Sequence, residues 1–278
     1  MKIFLQCLPC FLKQVLEAAD MATSDEQIKK EIMKEAIGEI ARFENFKHSP
    51  QMGRHLHNIV KKHTGSKDPY KQIKERNIEA ALKLYPLLKS FISQKEDKLL
   101  WGLKIAATGN IMDSAIYNDL DIEKVVMDEL SKPFSICVID EFKQRIEKAG
   151  TIVILGDNAG ETVFDRILAE ELKGIRIYYA VRSEPIINDT TVEEALRSGL
   201  DMSTSVISSG CSAPGFIPEE GSEGFMKIFD SADIVISKGQ GNYESLSDHP
   251  REIFFLLKAK CPAIAGSLGV DIGEYVFK

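Results

Sequence analysis

The stretch Thr151-Ile-Val-Ile-Leu-Gly-Asp157-Asn158-Ala-Gly160-Glu161 sets a carboxylate beside an amide at the point where a short β-branched run becomes an amphipathic segment. A strand ending there puts both side chains in the turn before a helix. Open parallel sheets bind ligands at such turns, and a helix start adds unpaired N–H groups and partial positive charge suited to an anion. Asp157 and Asn158 together suggest a hard divalent cation holding a phosphate. The same pair also makes an ordinary capped turn for purely local reasons.

Two later segments repeat the pattern. Asn188-Asp189-Thr190 follows the apolar run 175–181, and Lys238-Gly239-Gln240-Gly241-Asn242 follows 233–237. In a parallel sheet the C-terminal ends of the strands share one edge, so all three segments can converge. Two carboxylates and an amide oxygen suit Mg²⁺ or Mn²⁺. Lys238 and the glycine-rich loop 238–242 would bring charge and backbone N–H groups to a phosphate. Each has a plainer alternative: Asp189 as a helix cap, Lys238 as a solvated lysine, Gly239–Asn242 as a turn.

The elements that position these residues divide the chain. Residues 1–150 read as helical, with segments near 10–20, 25–46, 53–63, 69–92, 95–107, 121–130 and 136–149 whose apolar residues fall at helical spacing. Asp68-Pro69 starts one of them, and Pro86 should bend or divide it. Beyond Gly150 the period shortens. Strands are predicted at 151–155, 175–181, 203–208, 233–237, 262–265 and 275–277, and helices at 161–173, 191–198, 222–230 and 248–259. Such alternation implies an α/β fold: an α-helical subdomain (1–150) beside a Rossmann-like three-layer α/β/α domain (151–278) with a mostly parallel sheet.

Composition narrows the class. The 278 residues are 44% hydrophobic, enough for one large domain or two modest ones, and carry a formal charge of −7 with the signs well mixed. That balance argues against a general nucleic-acid or anionic-membrane surface. The apolar start is too short for a signal segment or a membrane span, which implies a cytoplasmic protein. Cys7 and Cys10 have metal or redox spacing but form a single pair, so an incidental role stays open beside a second metal or redox one. Cys137, Cys211 and Cys261 stand apart in the sequence. His55 and His57, two apart, point to different faces of a helix.

Taken in order, Leu155–Glu161, Asn188–Thr190 and Ser237–Asn242 resemble the damage-control phosphatase family, formerly domain of unknown function eighty-nine. Asp68-Pro69-Tyr70 with Lys74 and Asn77, and Gly109-Asn110-Ile-Met-Asp113, are similar to its signatures in the helical half. Cys7-Leu-Pro-Cys10 resembles the prokaryotic branch. The resemblance runs from Cys7 to about Val270. It implies a phosphohydrolase that uses Mn²⁺, Co²⁺, Ni²⁺ or Mg²⁺ on small phosphorylated metabolites, among them damaged ones and sugar phosphates. By motif match Asp157, Asn158 and Asp189 become metal ligands and catalytic residues, and 238–242 becomes substrate-binding. Lys258 falls where relatives place a phosphate-binding lysine, with Lys260 close by, and Asn110 and Asp113 are expected to reach the cleft from the helical side.

The expected mechanism is attack of metal-activated water on a phosphomonoester, with Lys238, the 239–242 backbone and the helix start near Glu161 stabilising charge on the phosphate. Glu161 either orients the water or is an exposed first-turn glutamate. The Asp-Asn-Ala run lacks the second aspartate of an Asp-x-Asp phosphatase pattern, which argues against a phosphoaspartate route. S-adenosylmethionine-dependent methyl transfer and a non-catalytic metal or phosphometabolite sensor are the alternative functions. Oligomeric state is left open.

Overall fold

The computed structural model describes residues 1–114 and 122–278, the side chains of 113 and 114 excepted. Its helical start comprises α1 (Cys7–Ala22), α2 (Glu26–Ile40), α3 (Ser49–Thr64), α4 (Lys71–Ser93), α5 (Lys98–Thr108) and α6 (Ile122–Ser131). Then come β1 (Phe134–Cys137), α7 (Ile139–Ile146), β2 (Thr151–Leu155), α8 (Thr162–Glu171), β3 (Arg176–Val181), α9 (Val192–Arg197), β4 (Ser205–Ser208) and α10 (Glu223–Ser231). The chain closes with β5 (Ile234–Lys238), α11 (Gly239–Leu246), β6 (Phe254–Lys258), α12 (Pro262–Leu268) and β7 (Tyr275–Phe277).

Among the described residues the strands form one sheet in the order β1-β7-β6-β5-β2-β3-β4. All neighbours are parallel except β6 and β7. From β2 the chain runs outward through β3 and β4, then returns to the other side of β2 as β5 and β6. The topological switch point therefore lies between β2 and β5, where ligands bind in sheets of this kind. Strand alternation fills both faces. Val153 and Leu155 pack with Phe225, Phe229 and Leu246 on one side. Ile152 and Ile154 pack with Leu103, Phe142 and Leu168 on the other. Covered on both faces, β2 is a continuous apolar run, as central parallel strands are.

The helices of the first half have two cores. Phe11, Val15, Ile32, Leu56 and Val60 hold α1, α2 and α3 together, whereas Leu84, Leu88 and Ile105 pack on Val163, Phe164 and Ile167 of α8. The start of the chain thus both covers the sheet and overhangs its strand ends. Asp25 caps α2 by accepting from the N–H groups of Gln27 and Ile28, and α4 runs unbroken through Pro86.

The helix expected over 25–46 ends at Ile40, and three assignments outside the site change type. Residues 136–149 are not one helix: β1 takes Phe134–Cys137 and joins the sheet edge beside β7. Residues 254–258 form strand β6, not part of a helix, because Phe254-Phe-Leu-Leu is buried on both faces and has no exposed stripe. The segment at 262–265 begins helix α12, with Pro262 at its first turn, where a missing N–H costs nothing.

Candidate active site

Backbone hydrogen bonds zip together the loops that leave β2 and β3. Thr190 N–H donates to the Asp157 carbonyl at 2.8 Å, Ala159 N–H to Asn188 at 2.9 Å, and Arg182 N–H to Thr190 at 3.0 Å. Asn158 and Asp189 form an antiparallel bridge. The result is one ridge carrying Asp157, Asn158 and Asp189, all nearly buried. Gly156 makes the turn possible, since a Cβ there would lie 2.7 Å from the Tyr179 ring. The local capping readings do not describe these residues. The Asn158 side chain makes no cap bond, and α9 is capped through Thr191 and Glu194, whose carboxylate accepts from Thr191 N–H at 2.9 Å.

The ridge is crowded with negative charge. Burial pushes the Asp157 carboxyl well above its usual range, the charges of Glu161 and Asp189 push it further, and Arg182 and Lys260 pull it back. Arg182 lies beneath, buried. Its Nε donates to Asp189 Oδ2 at 2.7 Å, its Nη1 to Asn242 Oδ1 at 3.1 Å, and its Nη2 stands 3.8 Å from Asp157 Oδ1. The Asn158 amide nitrogen donates to Asp157 Oδ2 at 3.3 Å and to Glu161 Oε1 at 2.8 Å, which leaves its carbonyl oxygen as the donor for a cation.

Among the described residues no three His, Cys, Asp or Glu side chains gather as a ready-made metal cage. The set on the ridge is instead two carboxylates and an amide oxygen, hard donors that suit Mg²⁺, Mn²⁺ and their neighbours. Carboxylates crowded in a site shielded from water are relieved by an added cation. By donor chemistry and by charge, the residues present fit a divalent metal.

Lys238 does not face a phosphate. It is buried behind the ridge, 2.8 Å from Glu161 Oε2 and 2.8 Å from Asp165 Oδ1. Burial works against its charge, and the two carboxylates reverse that effect and hold it protonated. Glu161 is no exposed glutamate either: it accepts from Lys238, Asn110 and Asn158, each at 2.8 Å. Asn110 therefore belongs to this inner network rather than to the cleft wall. Asp165 completes the network, accepting from the Tyr179 hydroxyl at 2.7 Å.

The expected loop 238–242 is the junction of β5 and α11, because helix begins at Gly239 directly after the strand. Gly239 adopts φ +75°, and a Cβ there would fall 1.9 Å from Asp157 Oδ2, so the Asp157 carboxylate lies against its bare Cα. Asn242 is a tie between strand ends. Its amide donates to the Gly156 and Lys238 carbonyls, and its oxygen accepts from Arg182 and from Phe216 N–H. Gln240 and Gly241 do reach the cleft.

That cleft, a cavity of about 670 Å³, opens between the strand ends and the overhanging helices, a volume typical of small-molecule sites. Asp157, Asn158, Asn188 and Asp189 line it together with Arg76 and Asn77 of α4 and Lys13 of α1. Lys260 also lines it, but Lys258 does not. Lys258 donates to Glu129 at 3.0 Å and lies over the Tyr275 ring. The side chain of Asp113 lies outside the described residues. Sequence reasoning assigned no role to Arg182, although it stands in the first position after β3, or to Arg76, whose helix gave no local signal for it.

A doubly covered, mostly parallel sheet with an acid-and-amide ridge at its switch point is the architecture of α/β enzymes, a class that binds small ligands at its strand ends. The sequence model of the damage-control phosphatase ARMT1-like domain matches residues 3–276, and the chain belongs to that family. It is 36% identical to a damage-control phosphatase of Pyrococcus horikoshii over 282 residues, covering 99% of this chain and 97% of the relative. It is 31% identical to a damage-control phosphatase of Archaeoglobus fulgidus over 287 residues, covering 100% and 99%. The crystal structure of a Pyrococcus horikoshii protein of the DUF89 family superposes with a TM-score of 0.92 at 34% identity, covering 100% of this chain and 98% of that one.

Proposed function

We propose that this phosphohydrolase is divalent-metal-dependent and releases phosphate from small phosphorylated metabolites, damaged ones and sugar phosphates included. The observation that carries the metal is the ridge itself, where Asp157 is crowded by Glu161 and Asp189 at the switch point of the sheet. The names of the two relatives support the phosphatase class, and the cleft volume supports a small substrate.

Asp157, Asn158 and Asp189 would hold the cation. When bound, it supplies Lewis-acid polarisation of the phosphoryl group and a lowered pKa for water. The chain's own groups do the rest. Arg182 orients Asp189 through its hydrogen bond and sets a positive charge beside Asp157. Lys238 fixes Glu161, which in turn fixes the Asn158 amide, so both are positioning residues rather than phosphate ligands. Lys260 and Arg76 bring positive charge to the cleft wall, and the first turn of α11 adds N–H groups without intrahelical partners.

A cytoplasmic location is part of the proposal, supported by five cysteines that are all free thiols; no helix of the described residues is long and apolar enough to cross a membrane. The test is a panel of sugar phosphates, p-nitrophenyl phosphate and a phosphodiester, assayed for phosphate release. Turnover of monoesters with little on the diester is expected. Metal binding without release of phosphate from any of them would refute the proposed chemistry.

A further inference from the structure

Cys7 and Cys10 play no part in the site just described, yet the fold sets them beside it. They lie in the first turn of α1 and line a cavity of about 140 Å³ together with Cys261. This cavity is an annex of the substrate cleft, because Phe11, Gln14, Ser49, Gln240 and Glu244 line both. Hydrogen bonds run from the thiols to that shared wall. Ser49 Oγ donates to Cys7 Sγ at 4.0 Å and Gln14 Nε2 to Cys10 Sγ at 3.7 Å. Gln240 Nε2 donates to Cys261 Sγ at 3.4 Å and to Glu244 at 3.1 Å. Cys10 is exposed and Cys7 is half-buried.

We propose that Cys7 and Cys10 are a redox-active dithiol that is oxidised by low-molecular-weight disulfides, and that its oxidation weakens substrate binding in the adjoining cleft. Residues three apart on a helix have Cβ atoms about 5–6 Å apart, whereas a disulfide needs about 3.8 Å. The turn must tighten by about 1–2 Å, at the helix start where the ladder is least complete. Bonding draws Cys7 Sγ from Ser49 and Cys10 Sγ from Gln14, so the change is felt at two residues of the cleft wall. Asp157, Asn158 and Asp189 are on the far loops and stay as they are.

The chemistry balances as two exchanges. The exposed Cys10 loses its proton and attacks one sulfur of the small disulfide, forming a mixed disulfide and expelling one thiolate. Cys7 then loses its proton and attacks Cys10 Sγ, forming the Cys7–Cys10 bond and expelling the second thiolate. The two protons end on the two released thiols, and two electrons pass from the cysteine pair to the oxidant. The protein around them raises both thiols above the ordinary cysteine value, Cys10 despite its exposed face because part of it is desolvated and Cys7 lies beside it, so the exchange is slow at neutral pH and quickens as the pH rises.

The full chain is incubated with oxidised glutathione at mildly alkaline pH, alkylated, digested and weighed. The expected product is one peptide holding Cys7 and Cys10, two hydrogens lighter and unalkylated, with Cys261 alkylated. Cys7→Ser should trap glutathione on Cys10. Oxidised protein should show KM for p-nitrophenyl phosphate raised roughly two- to tenfold, the factor for one lost hydrogen bond, with kcat unchanged. Dithiothreitol should reverse the shift, and Cys10→Ser should never show it. Glutathione retained on wild-type Cys10, a bond to Cys261, an unreacted pair, or an unchanged KM after full oxidation would each overturn the proposal. A chain that turns over no phosphoester sinks the phosphatase chemistry but not the mass readout, so the two fail separately.

Discussion

Replacing Lys238 by methionine separates a phosphate ligand from an internal counterion. The ammonium group is buried, with Glu161 and Asp165 each 2.8 Å away and equally shielded from water. Methionine keeps much of the side-chain volume and removes the charge, which leaves two buried carboxylates facing each other. Breaking a buried ion pair by removing one partner costs about 3–5 kcal/mol. At about 2 °C per kcal/mol for a chain of this size, the melting temperature should fall by about 6–10 °C. Scanning calorimetry of Lys238→Met against wild type measures it directly. Adding Asp165→Asn removes one of the orphaned charges and should restore part of the loss. Because Glu161 orients Asn158, surviving folded protein should lose kcat more than KM. An unchanged melting temperature with a raised KM would mean that Lys238 contacts substrate, and the inner network as described would be wrong.

Other expectations follow from single contacts. Gly239→Ala should abolish most activity while the protein still folds, because its Cβ would occupy the position of Asp157 Oδ2 and the φ of +75° disfavours alanine; circular dichroism with a phosphate-release assay checks both halves. Lys258→Ala should leave KM near wild type, whereas Lys260→Ala should raise it, since Lys260 but not Lys258 lines the cleft; steady-state kinetics decides. Glu129 should carry part of the acid sensitivity. Burial opposes its ionisation, but Lys132, Tyr275 and Lys258 lower its pKa from 4.5 to about 2. A carboxyl lowered on folding stabilises the protein above its unfolded pKa and loses that contribution as the pH falls through the folded one. The gap in urea midpoint between wild type and Glu129→Gln should therefore be constant above about pH 5 and close towards pH 2.

Strands β2, β3 and β5 are legible in the sequence because each is a short run rich in β-branched and aromatic residues, and the convergence of 157–158, 189 and 238–242 at one sheet edge follows from parallel topology alone. Depth was not legible. Lys238 and Glu161 read as cleft residues because a motif fixes order along the chain, not which way a side chain turns from a strand end. Lys258 and Lys260 are two residues apart, and only their placement against Glu129 or the cleft tells them apart. The run 254–258 reads as helix because an apolar run buried on both faces carries no period, whereas 262–265 is too short to show the spacing of the helix it begins. Cys261 looked isolated because its neighbours Cys7 and Cys10 lie at the opposite end of the chain.

The most direct test of the central claim is phosphate release by chelator-stripped protein as Mn²⁺, Co²⁺, Ni²⁺ or Mg²⁺ is added back, with Asp157→Ala and Asp189→Ala alongside. The account predicts no turnover in the stripped protein, recovery that saturates with added cation, and no recovery in either variant despite an intact fold. Full activity without any metal, or cation-dependent activity that survives in both variants, would contradict it.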